Sequence, residues 1–303
     1  MTEIRVPRPD EIPAAVDLLN AYGQAMWGEN STGPAEVEQW FSFDAAHRRA
    51  AVLPDGRFAG FGTAVDATED HSIIWIRTVV HPALGSEAIG EDLFAVLDGR
   101  ARELGRQGTK IHASCAAPDT LMAAIYQRAG YGLVRHFFRM VAPLDDPPAA
   151  PVWPDGIELR PLDPDRDLEL VHGADEEAFE DHWGSAPIPF AAWRQIVVGP
   201  DWDPSLWFVA WDGDQIAGFS LCHTQSEGDP DLGWVEVLAV RRPWRRRGLA
   251  LALLLHSFAE LRARGRPRVG LGVDADNLTG AVRLYERAGM APTQQSDVYE
   301  VVM

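Results

Sequence analysis

The chain has 303 residues, 46% of them hydrophobic, and a formal net charge of -18. That length and apolar content suit a large core divided between two domains, and the acidic balance repels a polyanion such as nucleic acid over most of the surface. No apolar run reaches the ~18 residues of a membrane-spanning helix, and the start MTEIRVPRPDE lacks the basic-then-apolar order of a signal peptide. Cys115 and Cys222 each lie in an apolar, strand-like stretch and read as buried thiols, which points to a reducing cytoplasm. The histidines show no ligand spacing, so no metal site is expected.

The first half opens with IRVPRPDEIPAAVDLLN, a short strand leading to one or two helices. A strand pair follows around DGRFAGF from Asp55, and WIRTVV reads as a buried strand. The loop after it, VHPALGSEAIG (80–90), carries Glu87 and no arginine. IYQRAGY from Ile125 closes a helix, with Tyr126 most simply a core aromatic. Residues 142–156, APLDDPPAAPVWPDG, are too proline-rich for an element interior and read as a linker.

The second half repeats this order. IELRPLDPDRDLELVHG echoes the start, His182-Trp183-Gly184 echoes Met26-Trp27-Gly28, DGDQIAGF echoes DGRFAGF and LYERAGM echoes IYQRAGY, each about half a chain apart. The chain therefore reads as a diverged duplication: 1–143, a linker 144–156, and 157–303. LWFVAWD and IAGFSLCHT flank Gly213 as a hairpin. Each repeat combines a mostly antiparallel sheet with a β-loop-α-β crossover, an α/β class with helices on both faces.

The stretch 235–265, VEVLAVRRPWRRRGLALALLLHSFAELRARG, reads as a strand, an arginine-rich loop and a helix. Arg245, Gly248 and Ala250 fit Q/R-x-x-G-x-G/A. Glycine lets the backbone approach a ligand, the helix start offers unbonded N–H groups, and arginines supply forked donors for phosphate oxygens. A solvated basic patch is the plainer reading of arginines 241, 242 and 245–247. No G-x-x-x-x-G-K-[ST] occurs, and the only lysine is Lys110, which excludes a Walker-type nucleotide loop. After Gly265 and Pro267, RVGLGV reads as a strand and GAVRLYERAG as a helix with Thr279 as N-cap; Ala281, Leu284, Tyr285 and Ala288 form its inward face and Gly289 its end.

These three pieces, in this order and spacing, resemble the GNAT superfamily of acyl-CoA-dependent N-acyltransferases. The resemblance implies two tandem GNAT folds and acetyl-CoA as co-substrate. The co-substrate would lie against the strand end Leu238, Ala239 and Val240 and the loop Arg245, Arg246, Arg247, Gly248, Leu249 and Ala250. A backbone N–H near Ala239 or Val240 would stabilise the oxyanion. Asn277 resembles the asparagine that bonds the pantetheine arm, with a capping or turn role equally open.

Glu236 is the one acid in WVEVLAV and shares a strand face with Leu238 and Val240 by alternation. It is either an outward, solvated carboxylate or a general base whose pKa is raised by apolar neighbours such as Trp234. Tyr285 is either a core tyrosine or, as the family resemblance implies, the acid that protonates the departing thiolate. The segment 176–193 falls where the family forms its acceptor wall; Asp181, His182 and Trp183 either bind a cationic acceptor or simply end a helix with a packed tryptophan. The first repeat, lacking the arginine loop and any acid in its strand, is expected to keep the fold without acyl-CoA chemistry.

The expected activity is acetyl transfer to the primary amine of a small molecule, by a monomer or homodimer, with no nucleic-acid or membrane partner. A two-repeat plan of this kind is similar to that of GNAT enzymes that acetylate a cysteinyl amino-sugar, and to others acting on antibiotics or metabolites. A silent acyl-CoA-binding sensor is the alternative class, and it would need the loop but neither Glu236 nor Tyr285.

Overall fold

The computed structural model describes residues 2–42, 44–66, 68, 70–185, 187–198, 202–226, 228–277 and 280–303. The first repeat runs β1 (Glu3–Arg5), α1 (Ile12–Trp27), α2 (Pro34–Ser42), β2 (Arg48–Val52), β3 (Phe58–Asp66), β4 (Ile73–Val80), α3 (Glu87–Leu104), β5 (Lys110–Ala116), α4 (Thr120–Arg128) and β6 (Gly132–Pro143). The second gives the same series: β7 (Ile157–Arg160), α5 (Pro164–Phe179), α6 (Phe190–Val197), β8 (Trp207–Asp212), β9 (Gln215–His223), β10 (Leu232–Val240), α7 (Leu249–Ala263), β11 (Arg268–Asp274), α8 (Ala281–Arg287) and β12 (Ala291–Val302). The helices start where local chemistry satisfies their first N–H groups. Ser86, Asp119 and Asp163 accept from Ile89, Met122 and Asp165 at the starts of α3, α4 and α5, and Pro164 adds a preset φ to α5. The expected N-cap Thr279 lies outside the described residues.

Among the described residues twelve strands form one sheet, in the order β1-β2-β3-β4-β5-β12-β6-β11-β10-β9-β8-β7. Two pairings are parallel, β4 with β5 and β10 with β11; the rest are antiparallel. Helices cover both faces. In the second repeat Leu253 and Phe258 of α7 pack with Val269 and Tyr285 on one side, while Val171, Trp193 and Trp207 pack with Phe219 on the other. Each such buried side chain contributes ~1.5–3 kcal/mol. The segment after β6 lies on α7: Leu144 donates its N–H to the Pro267 carbonyl at 2.8 Å, and Arg262 donates to the Leu144 carbonyl at 2.9 Å.

The sequence gives no sign of how the two series join. β12 inserts between β5 and β6, and β6 lies between β12 and β11, so each repeat's last strand pairs with a strand of the other. The cores follow the strands. Tyr299 of β12 packs among Phe94, Tyr126 and Tyr131 of the first repeat, and Met140 and Ala142 of β6 pack in the core beneath α7. The two cores therefore share walls. Calorimetric unfolding should show one cooperative transition; two well-separated transitions would contradict the shared walls.

Candidate active site

The site begins with a fault in the sheet. β10 pairs with β11 only through 232–234 against 268–270, then continues along β9 as far as Val240 opposite Gly218. The register shifts between Val235 and Val237, a bulge that leaves Glu236 without a strand partner. Val235 packs on the α7 side, whereas Val237 and Ala239 pack on the α5–α6 side. The strict alternation expected from the sequence therefore breaks between Val235, which packs on the same side as Leu238 and Val240, and Val237. Beyond it β10 and β11 part, and a cleft of about 710 Å³ opens between them.

The arginine loop forms one wall. Arg241 donates to Glu177 at 2.7 Å and to the Ile216 carbonyl at 2.9 Å, and its guanidinium lies 5.3 Å from the Trp244 ring. Trp244 is buried, with its indole N–H on Asp212 at 2.8 Å. Arg245 donates to the carbonyls of Val240 and Ala178, both at 3.0 Å, so its guanidinium ties the strand end to α5 while its chain lines the cleft. Arg246 and Gly248 have positive φ, 64° and 89°. Left-handed residues so spaced turn neighbouring N–H groups to one side, and α7 starts at Gly248 with no side-chain cap. A Cβ on Gly248 would point into open space. That combination can cradle an anion.

Arg246, Gly248, Leu249 and Ala250 line the cleft, as do Leu238, Ala239 and Val240. Arg247 does not; its exposed guanidinium turns to the Asp155 carbonyl at 3.3 Å. Two cations that the sequence reading missed complete the wall, Arg283 and Arg287 on α8. Their four-residue spacing places both on one helix face beside Leu284, a signal that lies in the charged positions of the helix and not in its apolar ones.

Glu236, Asn277 and Tyr285 all line the same cleft. Tyr285 is buried, which pushes its hydroxyl up to about 12, so it is protonated at neutral pH. The Glu236 carboxylate is exposed and accepts from the Trp234 indole N–H at 2.8 Å. Trp234 is thus a hydrogen-bond donor to the acid, where the sequence suggested an apolar cover. Asn277 sits in the turn after β11, its N–H on the Asp274 carbonyl at 3.2 Å.

On the opposite side Phe179, His182 and Trp183 follow α5 into the cleft. Burial first, then Arg245, lowers the His182 pKa and keeps the ring neutral at pH 7. Trp183 stacks on His112 with centroids 4.6 Å apart and lies edge-on to Trp75 at 6.2 Å, both in the first repeat. Phe137 of β6 completes this wall. Asp181 is outside the cleft: it and Glu180 bind Arg242, at 2.6 and 3.0 Å. Asp181, expected to hold an amine, instead shares one guanidinium with Glu180 outside the cleft.

Among the described residues of the first repeat, the corresponding strands stay paired. β4 keeps five parallel partners on β5, 73–77 against 110–114, and no bulge interrupts its pairing with β3. Tyr22 fills the corner, donating to Asp119 at 2.9 Å and accepting the Ala116 N–H at 3.1 Å. Gly85 is pressed against Val80, and Glu87 is paired with Arg128 at 2.7 Å. A cavity of about 270 Å³ is what remains there.

Comparison with known proteins agrees with this geometry. The Acetyltransferase (GNAT) family pattern matches residues 174–290. A mycothiol acetyltransferase of Thermobispora bispora is 36% identical over 217 residues, 70% of each chain. Another, from Thermomonospora curvata, is 31% identical over 276 residues, covering 90% of this chain and 89% of its own. The crystal structure of a GCN5-related N-acetyltransferase from Sphaerobacter thermophilus superposes with a TM-score of 0.83 at 30% identity, over 99% of this chain and 95% of that one. A tandem GNAT protein from the clavulanic acid biosynthesis pathway shares the whole fold at 17% identity, with a TM-score of 0.76 over 100% and 98% of the two chains. The chain belongs to the GNAT acetyltransferases. Within them it is a two-repeat enzyme, with one GNAT fold following the other.

The cradle makes a direct prediction. Gly248→Trp should abolish measurable acetyl-CoA binding in calorimetry, and Arg283→Ala and Arg287→Ala should each weaken it by roughly 1–3 kcal/mol if a charge-assisted bond is lost. Unchanged affinity in the Gly248 variant would contradict the placement.

Proposed function

We propose that the second repeat transfers the acetyl group of acetyl-CoA to the primary amine of a small molecule. One observation carries the reading: the parting of β10 from β11 brings an anion cradle, a carboxylate and a protonated tyrosine into one cleft. The pyrophosphate would lie on the N–H groups of 246–250, with Arg246, Arg283 and Arg287 around it and Asn277 by the pantetheine arm. Beyond Glu236 the β10 backbone has a strand partner only on β9, so its N–H groups near Ala239 and Val240 are suited to the thioester carbonyl.

The amine would enter past Trp183, His182 and Phe137. Glu236 takes its proton, directly or through water, as nitrogen bonds the acyl carbon. The carbon–sulfur bond then breaks, and the thiolate leaves with the proton of Tyr285, which is replaced from solvent. A silent binding module would need only the cradle, whereas both proton-handling groups face the same cleft.

The relatives' names favour one acceptor in particular. They are mycothiol acetyltransferases, and we take a mycothiol-type cysteinyl amino-sugar as the first acceptor to test. The aromatic wall of Trp183 and Phe137 suits a bulky acceptor, and with Asp181 turned outward the acids lining the cleft are Glu236 and Asp274.

Purified protein should release thiol from acetyl-CoA when a suitable amine is present. Glu236→Gln should lower kcat roughly 100-fold or more, the ordinary worth of a general base, with acetyl-CoA affinity unchanged. Tyr285→Phe should also lower kcat, and Trp183→Ala should raise KM for the amine alone. Wild-type turnover in both the Glu236 and Tyr285 variants would refute the assigned roles.

A further inference from the structure

Glu236 sits on a bulge with an exposed side chain, and an unrestrained glutamate there would sample many rotamers. What restrains it is Trp234, two residues earlier on β10, and the seat of that indole spans three adjacent strands. On β11, next to β10, Gly270 lies under the ring: a Cβ there would come within 3.0 Å of Trp234 Cζ3 and 3.2 Å of Cε3. On β6, the strand after β11, the Arg139 guanidinium lies 5.1 Å from the ring centroid. Arg139 is itself fixed, largely buried and donating to Ser226 Oγ at 3.0 Å. A cation over an indole draws electron density from the ring and makes its N–H a better donor. That N–H reaches the Glu236 carboxylate at 2.8 Å.

We infer that Trp234 is a positioning residue for Glu236, and that the first repeat takes part in the chemistry of the second by holding it, through Arg139 on the exchanged strand β6. The inference rests on Glu236 being the general base. It accounts for three features that packing alone leaves unconnected: a tryptophan bonded to an exposed acid, a glycine in the middle of β11, and an arginine of the first repeat turned onto the second repeat's strand. It also gives the exchanged strand a catalytic consequence. β6 does not merely join the two halves of the sheet; it sets the direction of a carboxylate two strands away.

The test is a double-mutant cycle read as kcat and KM. Trp234→Phe keeps an aromatic ring and removes the N–H. It should lower kcat roughly tenfold, the effect of a misaimed group, while leaving KM for acetyl-CoA and the melting temperature near wild type. In the Glu236→Gln background the same change should cost nothing further, because the group it aims is gone. Gly270→Ala, which presses on the ring from beneath, should reproduce the kcat loss and also vanish in the Gln background. Full kcat in Trp234→Phe overturns the inference, as does an equal fractional loss with and without Glu236. If Glu236→Gln alone retains kcat, the general-base reading fails first and this inference falls with it. If Glu236→Gln is slow and Trp234→Phe is not, only the positioning role is wrong.

Discussion

Everything the second repeat can do chemically depends on β10 leaving β11 after Trp234. A parallel ladder that ran on to Val240 would consume the backbone groups of the strand end and close the cleft between the two strands. The bulge at Glu236 and the early end of the ladder prevent this, and the loop tethers hold the opening. Arg245 bonds the Val240 carbonyl to the Ala178 carbonyl, and Arg241 bridges Glu177 and Ile216, so the free end of β10 is moored to α5 and β9 rather than to β11. Arg241, just before the family-like motif, and Arg245 within it thus tether the strand end, while Arg246 and, from α8, Arg283 and Arg287 line the cleft.

The first repeat shows the same fold with that fault repaired. Its ladder is longer, its strand is unbulged, and Tyr22 occupies the corner where an open strand end would be. Its retention is nevertheless physical rather than vestigial. β6 is a full strand of the second repeat's neighbourhood, Trp75 and His112 back the Trp183 wall, and the cores share β6 and β12. The cleft is thus walled by residues of both repeats.

Much of this was legible from the residues because its determinants are local. The glycine in R-x-x-G-x-A, the hairpin at Gly213, the inward face of α8 and the repeated element order depend on a few neighbouring side chains and φ angles. The resemblance to GNAT enzymes rested on these local signals, and the fold and the family bear it out. What escaped was non-local. A bulge changes strand parity without any residue that announces it, so alternation does not show that Val235 packs on the side of Leu238 and Val240. Strand exchange depends on pairings more than a hundred residues apart, such as Tyr299 with Ala113. The sequence shows the charge of Asp181 but not that it meets Arg242, and the charge of Arg247 but not that it turns to the Asp155 carbonyl. In each case charge and spacing were visible but direction was not.

The most direct measurement of the central claim, that only the parted strands of the second repeat hold the acyl donor, is the stoichiometry of acetyl-CoA binding by titration calorimetry on the full chain. One site per chain is expected, and Gly248→Trp should remove it entirely. Two sites of similar strength, or one site that survives in the Gly248 variant, would show that the first repeat binds the donor and that the opening of β10 is not what makes the site.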